Sequence, residues 1–402
     1  MDYESKLSTQ LSGIPRSGIR DFFELVIGRT DVISLGVGEP DQATPWPIRE
    51  AAIRAIEKGQ TTYTSNLGLE SLRVAISGYV KDHFNVTYNP KSEILVTVGV
   101  SEALDLAFRA VLNPGDEVLF HQPCYVSYGP SITMAYGVPV PINTRLEDHF
   151  ALKASDVEKA ITPRTKVLAL NFPTNPTGAI EPPEELEKIA ALCVKHDLFV
   201  FTDEIYSELL YDGRTHVSIV NFPGMRERTV FLHGFSKAFA MTGWRLGYAC
   251  APAPLTEAMM KIHQYCMLCA PIISQIAALE ALNQGRKAYE PMRDSYEKRR
   301  NYVVRRLNGM GVNCFNPGGA FYVFPDVSST GLNGREFALQ LLQKHSIAVV
   351  PGNAFGPSGE ECVRCCYATA PELLVKAMDG MESFVRELRG KPKEEKAEKV
   401  RA

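Results

Sequence analysis

The chain has 402 residues, 45% of them hydrophobic and 22% charged, with a formal net charge of −3. That balance describes a globular protein with ample apolar material for a large core, and the length favours roughly two or three domains. It excludes the strongly basic surface that a nucleic acid or an anionic membrane would select.

No apolar run approaches the length of a bilayer span. The polar opening MDYESKLSTQLSGIPRSG lacks the apolar core of a signal peptide, so the expected compartment is the cytoplasm. Nine cysteines, an odd number in a chain too large to need staples, point to reduced thiols. Cys266-Met-Leu-Cys269 has CxxC spacing, but no second pair completes a zinc set. These two cysteines, like vicinal Cys365 and Cys366, read as small packing residues, the former pair on a helix. His121, His233 and His263 show no metal-ligand spacing and read as structural, and no metal is expected.

Along the chain, short apolar runs alternate with amphipathic stretches from about residue 94 to 251. Glu93–Val100 predicts a buried strand, and a helix over about Ser101–Leu112 follows, stopped by Asn113-Pro-Gly115. EVLFHQP (117–123) and KVLALN (166–171) are further strands, the second running into the loop NFPTNPTG (171–178). A helix over about 183–196 opens with Pro183, Glu184 and Glu185, as a helix start should. LFVFTDE (198–204), RTVFLHG (228–234) and RLGYACA (245–251) complete the strands. Continuous apolar strands separated by helices argue for a mostly parallel sheet covered on both faces. A long helical region then reaches Gly311. Short strands within 313–327, 347–352 and 362–368, with helices from about 335 and over about 371–388, suggest a smaller α+β unit. The N-terminal residues to about 45 are expected to join that unit. The tail GKPKEEKAEKVRA mixes charges without an apolar face, which predicts disorder.

Ligands of such sheets bind beyond the carboxyl ends of the strands. Ser101, Tyr125, Asn175, Asp203, Ser236 and Lys237 all fall at strand ends, so they should converge on one crevice. Burial disfavours the charged form of a lysine, and a neutral lysine is the amine that condenses with carbonyls; Lys237 sits among small and aromatic neighbours. Taken alone it would be read as a surface charge; its companions reverse that reading. Ser101, as a helix N-cap, together with Ser236 and Arg245 describes a pocket for one phosphate. Asp203 ends an apolar strand, where a carboxylate needs a partner, and a protonated pyridine nitrogen would be one. Asn175 and Tyr206 could hydrogen-bond an ionised ring hydroxyl, and Tyr125 offers a stacking face. Phosphate, aldehyde, pyridine nitrogen and ring oxygen together are the groups of pyridoxal 5′-phosphate.

The motifs GVSEAL (99–104), NFPTNPTG (171–178), DEIY (203–206) and FSKAFAMTGWRLGY (235–248), in this order, closely resemble those of the fold-type I, class I/II aminotransferases. LGVGEPDQATP (35–45), YTSNLGLESLR (63–73) and VRCCYA (363–368) match as well, and the resemblance covers about residues 30–388. It implies an α/β fold: a large domain with a mostly parallel seven-stranded sheet covered by helices, over 46–290, and a smaller α+β domain from 1–45 and 291–388. Residues 389–402 remain as the tail.

The resemblance further implies transfer of an amino group between an L-α-amino acid and a 2-oxo acid, by a ping-pong route. Lys237 would be the cofactor-bonding lysine and proton shuttle, Asp203 the partner of the pyridine nitrogen, and Asn175 and Tyr206 the ligands of the ring oxygen. Ser101, Ser236, Arg245 and the N–H groups of Val100 and Ser101 would form the phosphate cup, with Glu102 counted among the cofactor-binding residues. Arg364 would grip the substrate α-carboxylate and Gly38 close over it. Tyr63 would reach the phosphate of a neighbouring subunit, which implies a homodimer. A C–S β-lyase of the same fold would share all these residues. One departure is Gly234, where many relatives carry a hydroxyl residue three before the lysine; Val100 also replaces a small residue.

Overall fold

The computed structural model describes residues 3–390 apart from Pro15, Ser17 and Leu25. In chain order its strands are β1 Ile33–Ser34, β2 Ile94–Thr97, β3 Glu117–Gln122, β4 Val138–Asn143, β5 Thr165–Asn171, β6 Phe199–Asp203, β7 Thr229–Gly234 and β8 Gly247–Cys250. These are followed by β9 Tyr322–Val323, β10 Ile347–Ala348, β11 Val350–Pro351 and β12 Val363–Cys366.

Seven strands form one sheet in the order β2-β8-β7-β6-β5-β3-β4. Only β8 runs against the rest: it pairs antiparallel with both β2 and β7, whereas the other neighbours are parallel. The central strands are buried on both faces, which is why their sequences read as unbroken apolar runs rather than alternating ones. The sequence pattern does not announce β4, because Pro139 and Pro141 argue against a ladder strand. It lies at the sheet edge, where a missing N–H can face away from the ladder.

The helix after β2 spans Gly99–Val111, two residues earlier than expected. Ser101 is therefore not its N-cap but sits in its first turn. No side chain caps the helix's own first N–H groups; the Glu102 carboxylate instead accepts the N–H of Val98, just before the helix. This helix buries Leu104, Leu106 and Phe108 against the sheet, each contributing about 1.5–3 kcal/mol. The predicted helix near 183 runs Pro183–Lys195, with Glu184 and Glu185 in its first turn.

The long helical region resolves into helices Ala253–Cys266, Ile272–Gln284 and Glu290–Gly309. Cys266 is exposed at the end of the first helix and Cys269 lies beyond it, half-buried. They are not the helix packing residues expected; Cys365 and Cys366, buried in β12, are packing residues.

The second unit is built from distant pieces of chain. β1 pairs in parallel with β10, and β12 lies between β11 and β9, antiparallel to both. Helices Gly334–His345 and Pro371–Gly390 complete it, the first closed by a capping box between Asn333 and Glu336. The last helix takes in Arg389 and Gly390, two residues that composition assigns to the tail; residues 391–402 lie outside the described residues. The pairing of β1 with β10 carries Leu35–Glu39 to the carboxyl ends of the large sheet, and that placement builds the site.

Candidate active site

Because β2, β5, β6 and β7 are parallel, Gly99, Asn171, Asp203 and Gly234 all emerge on one edge. Arg245 precedes the single antiparallel strand, so it reaches the same edge from the opposite direction. The edge opens into a cavity of about 600 Å³. Gly38, Val100, Ser101, Tyr125, Asn175, Asp203, Tyr206, Ser236, Lys237, Arg245 and Arg364 all line it. Residues scattered from one end of the chain to the other thus meet in one crevice, as the strand-end rule expects.

Two do not. Glu102 does not line the cavity, since its carboxylate is occupied by the Val98 N–H and by His263 Nδ1 at 2.7 Å. Tyr63 also lies outside it and is 81% exposed.

Lys237 is half-buried, and its Nζ donates to Gly38 O at 2.8 Å. Loss of hydration by burial lowers its pKa to about 8. Asp203 is buried, and among the described residues no cation is bonded to it. Its Oδ1 accepts the Ile205 N–H at 3.1 Å and its Oδ2 accepts the Tyr128 hydroxyl at 3.3 Å. Burial raises its pKa to about 7.

Arg364 is 3% exposed, yet among the described residues it has no carboxylate partner. Its Nη1 donates to Asn175 Oδ1 at 2.9 Å and its Nη2 to Gly36 O at 2.5 Å. Tyr322 and Phe355 flank its guanidinium, with ring centroids 4.6 and 4.8 Å away, and its buried Nε finds no acceptor. A buried guanidinium without an acid is costly to the fold unless an anion completes it. Lys237, Asp203 and Arg364 together provide an amine, an acid site and an anion site in one cavity.

Residues 30–379 match the family model for aminotransferase class I and II. The chain belongs to the class I and II aminotransferases. Over 381 residues it is 50% identical to the putative aminotransferase YugH of Bacillus subtilis, covering 95% of this chain and 98% of that protein. It is 45% identical to the aspartate aminotransferase of Pyrococcus abyssi, over the same shares of the two chains. Among solved structures it is similar to the aromatic aminotransferase of Pyrococcus horikoshii, with a TM-score of 0.88 and 45% identity, covering 92% of this chain and 99% of that one. The aminotransferase thus moves an amino group between an amino acid and a 2-oxo acid using pyridoxal 5′-phosphate, and has the fold-type I architecture. Nothing in these relatives favours the C–S β-lyase.

The residues present fit that cofactor. Gly99 has φ +78, and a Cβ there would lie 2.8 Å from Arg245 Nη2. Its absence lets the Arg245 guanidinium stand against the start of helix Gly99–Val111, whose first N–H groups have no helical partner. Among the described residues Arg245 donates only to Thr242 O, and its backbone holds φ +51, uncommon outside glycine. Arginine, serine and helix N–H groups suit a phosphate, and the buried, cation-free Asp203 suits a pyridinium.

The structure also answers the question raised by Gly234. A Cβ at that position would lie 3.0 Å from both Gly247 Cα and Val100 Cγ2, and 3.1 Å from Leu246 O. Val100 and the Leu246–Gly247 backbone together crowd the room a side chain at 234 would need, so the two departures meet in one packed spot.

Several residues of the site carry little or no sign in the sequence. Tyr322 hydrogen-bonds Tyr206, hydroxyl to hydroxyl, at 2.9 Å, and its hydroxyl would lie 2.5 Å from any Cβ at Gly38. Asn171 donates to Asp203 O at 3.0 Å and accepts the Asn175 N–H at 3.2 Å, holding the loop against β6. Tyr128 bonds Asp203 from a separate helix. His121 stacks on Phe172 and accepts the Asn171 N–H at 3.2 Å; burial lowers its pKa to about 4, which keeps it neutral. Asn171 opens the loop motif NFPTNPTG, so it is within reach of the sequence. Tyr128 and Tyr322 are aromatics among many and have no local mark.

Proposed function

We propose that Lys237 is the amine that bonds the cofactor and moves the proton, in an aminotransferase whose donors extend over dicarboxylic and aromatic amino acids. The observation that carries this reading is the buried, acid-free Arg364 in the same cavity as Lys237. When bound, pyridoxal 5′-phosphate supplies an aldehyde that accepts the amino group and a ring that withdraws electrons. Arg245, Ser236, Ser101 and the N–H groups of Val100 and Ser101 would hold its phosphate. Asp203 would keep a proton on its ring nitrogen, Asn175 and Tyr206 would bond its ring oxygen, and Tyr125 would stack on its face.

Arg364 and Asn175 bind the substrate α-carboxylate, and the Gly36–Gly38 backbone closes beside it. Lys237, neutral for part of the population near pH 8, takes the proton from the donor's α-carbon and returns one to the carbon that has received the amino group. Tyr322 holds the Tyr206 hydroxyl in place. Glu102 acts through the backbone it holds rather than on the cofactor. The double use of one pocket by amino acid and oxo acid gives ping-pong kinetics.

The relatives named for aspartate and for aromatic substrates support the donor range. The same reading divides the chain into a large unit, 46–290, and a small unit, 1–45 with 291–388, in keeping with the two separate sets of strands. It is a homodimer and acts in the cytoplasm. Exposed Tyr63, Tyr265, Met267 and Leu268 support the dimer, as does the bond from Asn66 Nδ2 to Leu268 O at 2.7 Å that ties their two segments; sedimentation at two concentrations tests it. Borohydride reduction of the loaded enzyme followed by peptide mass mapping tests Lys237. Cofactor mass on any other residue would refute the assignment.

A further inference from the structure

Four cationic side chains line the cavity: Lys237, Arg245, Arg364 and Arg20. The reading above gives work to the first three. Arg20 lies on helix Gly18–Glu24, and among the described residues no hydrogen bond or ion pair engages it. Glu24, one turn later, also lines the cavity but forms no ion pair with it. An arginine left uncompensated at a cavity wall attracts an anion, and its fork matches a carboxylate.

Its position decides which carboxylate. Arg364 donates to Gly36 O and Lys237 donates to Gly38 O. A donor with its α-carboxylate on Arg364 and its α-carbon beside Lys237 therefore lies along the Gly36–Gly38 backbone. The same cavity is lined by Val37 and by Ile19, Arg20 and Ile27 of the preceding chain. A donor side chain that extends into this cavity can meet these residues.

We propose that Arg20 binds the side-chain carboxylate of dicarboxylic substrates, and is the residue that adds the aspartate and glutamate class to a pocket whose wall otherwise suits apolar side chains. Arg20 is exposed, so it can turn outward and leave Ile19, Ile27 and Val37 to an aromatic ring. This inference rests on the assignment of Arg364 and Lys237 above.

The test uses the cofactor-loaded enzyme and its Arg20→Met and Arg20→Lys variants. Loss of the visible cofactor absorbance in single turnover is followed with L-aspartate, L-glutamate and L-phenylalanine, and succinate binding is measured by calorimetry. Arg20→Met should lower kcat/KM about ten- to hundredfold for aspartate and glutamate, weaken succinate similarly, and leave phenylalanine within about twofold. Arg20→Lys should recover part of the loss. An equal loss for all three donors, or unchanged rates with aspartate and glutamate, would overturn the proposal. Lys237→Ala and Arg364→Ala run in parallel should be impaired with phenylalanine as with aspartate; if either turned over phenylalanine normally, the underlying assignment would fail, a pattern that loss of Arg20 alone cannot produce. The succinate measurement decides Arg20 in either case.

Discussion

Replacing Asp203 by asparagine should make the cofactor-free protein more stable relative to wild type as pH rises, while nearly abolishing turnover. The carboxyl is buried and its pKa stands near 7 rather than the ordinary 3.8. Its folded-state value is raised, so the protein loses stability as pH rises from about 4 through about 7. Above that range the penalty is complete. A displacement of this size corresponds to about 4 kcal/mol at pH 8.5, whereas at pH 5 only about 1.7 kcal/mol has been lost. Asparagine does not titrate, and its amide can still accept from Ile205 N–H and donate to the Tyr128 hydroxyl.

The stability of Asp203→Asn relative to wild type should therefore increase by about 2.5 kcal/mol between pH 5 and pH 8.5. That is a few degrees of melting temperature for a chain of this length. Thermal unfolding of both apoproteins at the two pH values measures it, and comparing differences cancels every other titrating group. An offset that is the same at both pH values, or that shrinks as pH rises, refutes the reasoning. With cofactor bound the ring nitrogen compensates the carboxylate, and Asp203→Asn should lose about a thousandfold in rate, near 4 kcal/mol.

Lys237→Ala should bind the cofactor without covalent attachment and should show no turnover; normal turnover would remove Lys237 from its role. Because burial lowers the pKa of Lys237 to about 8, the single-turnover rate with phenylalanine should climb as pH rises through about 8 and then level, and a rate that falls across this range contradicts a basic amine at this position. Arg364→Ala should raise KM for every α-carboxylate donor alike, and an unchanged KM would place the carboxylate elsewhere. Gly234→Ser should cost about 1–3 kcal/mol of stability from overpacking, and Val100→Ala in the same chain should restore part of it. Additive melting shifts in the double variant would show that the two positions are not coupled.

Much of this protein follows from local pattern. Apolar runs without alternation announce a buried parallel sheet, and the rule that ligands collect at strand ends draws Ser101, Tyr125, Asn175, Asp203 and Lys237 together on sequence grounds alone. These signals are local: each depends on a few consecutive residues and on the hydrophobic effect acting on them. The motif resemblance then assigns chemistry to residues whose types already suit it.

Other features depend on contacts between segments that the sequence keeps far apart, and only the tertiary structure decides them. Glu102 belongs to the same motif as Ser101 but turns away to Val98 and His263, because the helix rotates it off the cavity. Tyr128 and Tyr322 reach Asp203 and Tyr206 across 75 and 116 residues of chain. Arg20 acquires a candidate role only because its helix packs against β11 and the turn after it, where Arg20 lines the cavity. The glycine at 234 is the clearest case. From sequence it is a missing hydroxyl; in the folded chain a side chain there would press on both Val100 and the Leu246–Gly247 backbone, in a spot packed too closely to take one without a shift.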